Sequence, residues 1–123
     1  MNFGGMNPPA IALAALVALG FSLLYGRLIT PSRLSPGTLL VALAAHGLAA
    51  WVLAGTLGHL GPGQVTLRNG LISAGFVWAG FTAPALAVSL RRHAVVWRMI
   101  VAEAAGWLFA LLIAGAVIGG IGT

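Results

Sequence analysis

Two side chains in an otherwise apolar sequence are the ones whose chemistry asks for an explanation: Glu103 and His46. Glu103 is the only acid in the chain of 123 residues. It stands in the run Val95 to Ile118, and a buried carboxylate is costly unless protonated, hydrogen-bonded or paired. It shares an i+3/i+4 stripe with Gly106 and Ala110, so it is expected to point into a helix bundle. Arg98 is five positions away, about 140° round a helix at about 100° per residue, so an intrahelical ion pair is not expected. The plainer role for Glu103 is a protonated or hydrogen-bonded carboxyl that ties helices together. The sharper role is proton coupling or substrate binding.

His46 lies in the run Gly37 to Leu57 at a comparable expected depth, where a His46–Glu103 hydrogen bond would satisfy both groups. A second role for His46 is axial ligation of a haem or chlorin. Ala42, Gly47 and Ala50 leave a flat surface beside it, and imidazole is a usual axial ligand. His59 and His93 fall in or beside turns, and three such scattered histidines do not make a zinc site. Trp78 and Trp107 read as packing residues. No serine has a base and an orienting acid, no glycine-rich loop is placed to cradle phosphate, and one acid cannot form a carboxylate pair. The chain is therefore expected to be no enzyme and to hold no metal.

The elements that must position these residues follow from composition. Of the chain, 60% is hydrophobic and only 6% charged, with a mean hydropathy of +1.06. A soluble domain is roughly a quarter charged. A chain of this length leaves about a third of its unfolded surface exposed when folded in water, too much for so apolar a sequence. Lipid is the expected solvent, and the lipid bilayer the first partner. All six basic residues are arginines, and they flank apolar runs rather than cluster on a basic face, so nucleic acid is not an expected partner. With no cysteine, disulfides and thiolate chemistry are excluded.

Four segments are long enough for the roughly 20 apolar residues a spanning helix needs: about residues 9–29, 37–57, 66–90 and 95–118. Asn7 is the expected N-cap of the first, and Ser35-Pro36 introduces the second. The first segment has no basic stretch before it, so it is expected to remain as a span rather than act as a cleaved signal. Short connections make neighbours antiparallel, which gives a single transmembrane domain, an all-α up-and-down four-helix bundle. Arg27, Arg33, Arg91, Arg92 and Arg98 fall at one face and Arg68 alone at the other. This bias places the five in the cytoplasm as anchors and both termini on the periplasmic or exterior side. Tyr25 and Trp97 suit the aromatic belt on the arginine side. The expected membrane is the inner membrane of a bacterium.

Helices in lipid associate through small residues that let backbones approach. Ala10, Ala14, Ala18, Ser22 and Gly26 form such a stripe on the first helix. Gly75, Ala79, Ala83 and Ala87 form one on the third, and Gly106, Ala110 and Ala114 one on the fourth. Pro84 is expected to kink the third helix.

The stretches Gly70-Leu71-Ile72, Val77-Trp78-Ala79-Gly80-Phe81-Thr82-Ala83, Arg91-Arg92, Ala105-Gly106-Trp107-Leu108 and Ala114-Gly115-Ala116-Val117-Ile118-Gly119 carry a resemblance. Together they resemble the bacterial membrane family catalogued as domain of unknown function 1761. The family's W-x-G-F stretch is matched at Trp78 to Phe81. Its aromatic pair near the end of helix 1 is matched only by Tyr25, preceded here by Leu24. The resemblance implies a four-helix integral membrane protein and brings no activity or site residues with it. Tiny loops and few polar residues lead to the expected function, an accessory subunit packed against other subunits of a larger membrane complex, respiratory or photosynthetic. The alternative is a small oligomeric transporter or channel using Glu103 and His46, of the length and helix count of the small multidrug transporters. Those carry their glutamate in the first helix, whereas here it is in the fourth.

Overall fold

A computed structural model describes residues 7–30 and 35–122. Arg33, one of the five expected anchors, lies outside the described residues. The described chain forms α1 (Pro8–Leu28), α2 (Pro36–Gly58), α3 (Leu67–Val77), a π-helical turn (Trp78–Thr82), α4 (Ala83–Arg92) and α5 (Trp97–Ile121). Among the described residues there is no strand. The α3–α4 unit runs as one span, Leu67–Arg92, giving four helices long and apolar enough to cross a membrane. This is the architecture of a small multi-pass membrane protein.

The helix starts follow from local chemistry. Prolines occupy the first turns of α1 and α2, where a missing N–H removes no helical bond. Ser35 caps α2 by accepting from the Thr38 amide at 3.1 Å, and Thr66 caps α3 by accepting from the Asn69 amide at 3.1 Å. Asn7 sits at the N-cap of α1 without capping it through its side chain. Its Nδ2 instead donates to the Gly122 carbonyl at 3.4 Å, which ties the two ends of the described chain together at one end of the bundle. Ala94 has φ of 59°, and this left-handed turn separates α4 from α5. Val96 is extended and becomes the N-cap, so the last helix starts at Trp97, two residues later than the sequence implies.

The irregularity expected at Pro84 takes the form of the π turn immediately before it. Pro84 has no N–H for the Gly80 carbonyl, and its ring would crowd that carbonyl in a regular helix. Widening the preceding turn relieves the crowding.

α5 is the hub and packs against every other element. Of the most apolar stretch of α5, 39% is buried, against 11% for the third span, so α5 is the interior helix and α3–α4 is the outlying one. The core is built mainly of alanine: Ala14, Ala18, Ala50, Ala54, Ala74, Ala110 and Ala114, filled out by Leu53, Leu57, Leu111 and Ile118. The first-helix stripe thus faces inward at Ala10, Ala14 and Ala18, and the last-helix stripe at Ala110 and Ala114.

The third span departs from its expected packing face. Ala79 is exposed, and a Cβ added to Gly75 would meet open space. The close approach is made by Gly70 and Ala74 instead. A Cβ on Gly70 would fall on the Gly115 carbonyl, one on Gly115 would fall on the Gly70 carbonyl, and one on Gly119 would fall on the Thr66 carbonyl. Backbone therefore lies on backbone where α3 crosses α5, a contact only glycine permits. The Gly75–Ala79 stripe is left on the outer face of the bundle.

Candidate functional site

Several polar side chains of the spans gather at one end of the bundle, between α1, α2 and α5. There a cavity of about 300 Å³ is lined by, among others, Ser22 and Tyr25 of α1, Thr38 and His46 of α2, and Glu103 and Trp107 of α5. Thr30, just past α1, closes the same wall. Arg27 ends α1 at this end, Arg91 and Arg92 end α4, and Arg98 opens α5; all four are exposed. Arg91 donates to the Val95 carbonyl at 3.2 Å and lies 5.4 Å from the centre of the Trp97 ring. Arg68 opens α3 at the opposite end and is likewise exposed.

His46 and Glu103 share the cavity, but not the depth read from the sequence. Glu103 is the seventh residue of α5, about 9 Å from its start at about 1.5 Å per residue. His46 is the eleventh residue of α2, about 15 Å from the same end. The expected hydrogen bond between them is not formed. His46 Nδ1 donates to the Ala42 carbonyl one turn back at 2.8 Å, which makes Nε2 the lone-pair nitrogen of the neutral ring. Nε2 is buried and has no partner. The ring lies flat against the Trp107 indole, with centroids 4.7 Å apart and planes 12° from parallel. Trp107 is thus more than filler, and its role was hidden because stacking across helices leaves no mark on spacing.

The pinning of Nδ1 on a carbonyl is the arrangement that metal-ligating histidines use. A tetrapyrrole is nonetheless not accommodated. Nε2 is sealed from the surface, the indole covers one ring face, and a cavity of about 300 Å³ stands at the bottom of the range of small-molecule pockets. Among the described residues, no three His, Cys, Asp or Glu side chains converge. His59 and His93 each donate to a carbonyl one turn back, at 2.7 and 2.8 Å, as exposed helix-end residues.

Tyr25 is read from the sequence as a belt residue, and in the fold it joins helices. Its hydroxyl donates to the Ala102 carbonyl at 2.6 Å. Its ring covers Gly106, where an added Cβ would sit 2.6 Å from Tyr25 Cε1. Trp78 makes the corresponding link from the third span, with Nε1 donating to the Ala104 carbonyl at 2.8 Å. Glu103 thus sits between two carbonyls held by aromatic donors from opposite sides of α5. It forms no ion pair or hydrogen bond with any other described residue.

Beyond His46 the interior closes. Ala50, Leu53 and Leu57 of α2 meet Leu111 and Ile118 of α5, with Ala114 between, and all are buried. The polar cavity therefore does not continue through the bundle. A second, open groove of about 560 Å³ runs along the outside between α2 and the third span. It is lined by Thr56, Leu60, Ile72, Ser73, Phe76 and Phe81, among others.

No family model matches the chain, and no curated protein or solved structure is found to match it. The resemblance drawn above rests on the quoted residues alone.

Proposed function

We propose that this chain is a small, non-catalytic integral membrane protein that serves as an accessory subunit, seated against a larger membrane assembly of the bacterial inner membrane. The observation that carries the reading is the outer face of the third span. Its α4 part buries no residue, Phe76 and Phe81 are 74% and 75% exposed, and they line the groove against α2. Gly75 and Gly80 have open space where a side chain would stand. Small residues bring nothing to a lipid-facing surface, and their use in a membrane is to let another helix approach. The groove is apolar along most of its wall, with Thr56, Asn69 and Ser73 as the hydrogen-bonding groups. The five-to-one arginine bias supports an orientation with the cavity end in the cytoplasm and both termini outside. The resemblance to a four-helix membrane family without assigned activity fits the same reading.

Transport by a single copy is disfavoured by the blind end of the cavity. A conducting path needs polar or wet lining through its length, and here the interior past His46 is aliphatic.

The test is purification of the tagged chain from native membranes in a mild maltoside detergent, followed by mass spectrometry. Stoichiometric co-purification with the subunits of a defined membrane complex is the expected result. A particle containing this chain alone contradicts the proposal.

A further inference from the structure

The cavity between α1, α2 and α5 has a charge and hydrogen-bond pattern that the subunit reading does not use. Glu103 is the one acid of the chain, it is half-buried, and it lines the cavity with no cation among the described lining residues. No arginine is among the lining residues. Arg27 and Arg98, near in sequence to the cavity walls, are both exposed. A carboxylate in an apolar bundle calls for a counter-charge, and the described fold supplies none.

The other polar groups lean the same way. The proton of Tyr25 is committed to the Ala102 carbonyl, so what its oxygen has left is lone pairs. The Nδ1 proton of His46 is committed to the Ala42 carbonyl, so Nδ1 offers no donor to the cavity. The hydroxyls of Ser22, Thr30 and Thr38 can each accept as well. Two aromatic rings, Tyr25 and Trp107, add surfaces that favour a positive charge. Among the described lining residues a phosphate or carboxylate ligand would meet Glu103 with no arginine to hold it.

We propose that this cavity binds an alkylammonium group, with Glu103 as its counter-ion and the Tyr25 and Trp107 rings as its apolar walls. Its volume of about 300 Å³ suits a small amine. The lining residues Thr30 and Thr38 lie at the arginine end, where headgroups sit, so the ammonium has two sources: the headgroup of an ethanolamine lipid, or a free organic amine. The inference stands apart from the subunit reading, since the cavity and the outer groove are on different helix pairs.

The experiment is calorimetric titration of benzylammonium chloride into the purified full chain in dodecyl maltoside micelles, which carry no amine. Wild-type protein is expected to show saturable one-to-one binding. Glu103→Gln, which keeps shape and removes charge, is expected to weaken it by about tenfold or more, and Glu103→Asp to restore most of it. Ser22→Leu, which fills the cavity without touching the acid, is expected to abolish binding, with the helical circular-dichroism spectrum of each variant checking the fold. Competition by added phosphatidylethanolamine assigns the site to the lipid headgroup, and its absence assigns it to a free amine. No saturable binding by wild-type protein, or equal affinity in Glu103→Gln, overturns the proposal.

Discussion

The imidazole of His46 and the indole of Trp107 lie face to face, 4.7 Å apart and 12° from parallel, and they clamp α2 to α5 at the floor of the polar cavity. α2 meets α5 over fewer residues than α1 or α3 does, so this stack is a principal tie between the two helices. Stacked aromatic pairs contribute about 0.5–1.5 kcal/mol beyond area burial. A double-mutant cycle with His46→Ala and Trp107→Leu, read from unfolding in sodium dodecyl sulfate, is expected to give a coupling energy of about that size. Additive single effects would show that the two rings touch without depending on each other.

The Gly70–Gly115 crossing makes a sharper demand. Gly70→Ala and Gly115→Ala each place a methyl group on the opposing carbonyl, and overpacking of this kind costs about 1–3 kcal/mol. Both variants are expected to unfold at lower detergent fraction than wild type. Gly75→Ala is expected to match wild type, because nothing lies within 4 Å of its added Cβ. Circular dichroism across a dodecyl sulfate titration measures all three.

This contrast marks where the sequence is legible and where it is not. The span boundaries are readable because Pro8, Pro36, Ser35 and Thr66 act through neighbouring backbone, and such local chemistry is independent of the partner helix. The inward face of the third span is not readable. In lipid the apolar side of a helix need not be its interior side, so Gly75 and Ala79 read as the seam from their small size alone. The real seam is set by where Gly115 and Gly119 of α5 happen to cross.

The site shows the same division. That Glu103 and His46 belong to one region is legible, because both are costly in lipid and both face the bundle. Their hydrogen bond was expected from need alone. The fold satisfies His46 Nδ1 locally on Ala42 and places Glu103 nearer the end of the bundle, because α5 starts only at Trp97.

Tyr25 gives a milder prediction. Tyr25→Phe removes the hydrogen bond to Ala102 and keeps the ring over Gly106. Hydrogen bonds between membrane helices contribute about 0.6 kcal/mol on average, so stability is expected to fall by roughly that amount. Tyr25→Ala also uncovers Gly106 and is expected to cost several times more. Unfolding midpoints in dodecyl sulfate distinguish the two, and equal losses would assign the whole effect to the hydroxyl.

The arginine bias of the sequence makes an orientation prediction. Alkaline phosphatase fused after residue 122 is expected to be active, and the same reporter inserted between Arg92 and Val95 inactive. The Asn7–Gly122 hydrogen bond puts both ends of the described chain on one side, so an N-terminal reporter must agree with the C-terminal one. Activity only at the Arg92–Val95 turn would invert the topology.

On the proposed function, the outer groove of the third span receives a helix of another membrane protein. A benzophenone side chain replacing Phe76, which is 74% exposed and lines the groove, tests it most directly. Irradiation of native membranes is expected to give one crosslinked product with a different polypeptide, and the same product is expected to migrate with a larger complex after mild solubilisation. A benzophenone replacing Leu16, exposed on α1, is expected to give none. Crosslinks only to lipid or to a second copy of this chain, from the Phe76 position as from Leu16, would contradict the claim.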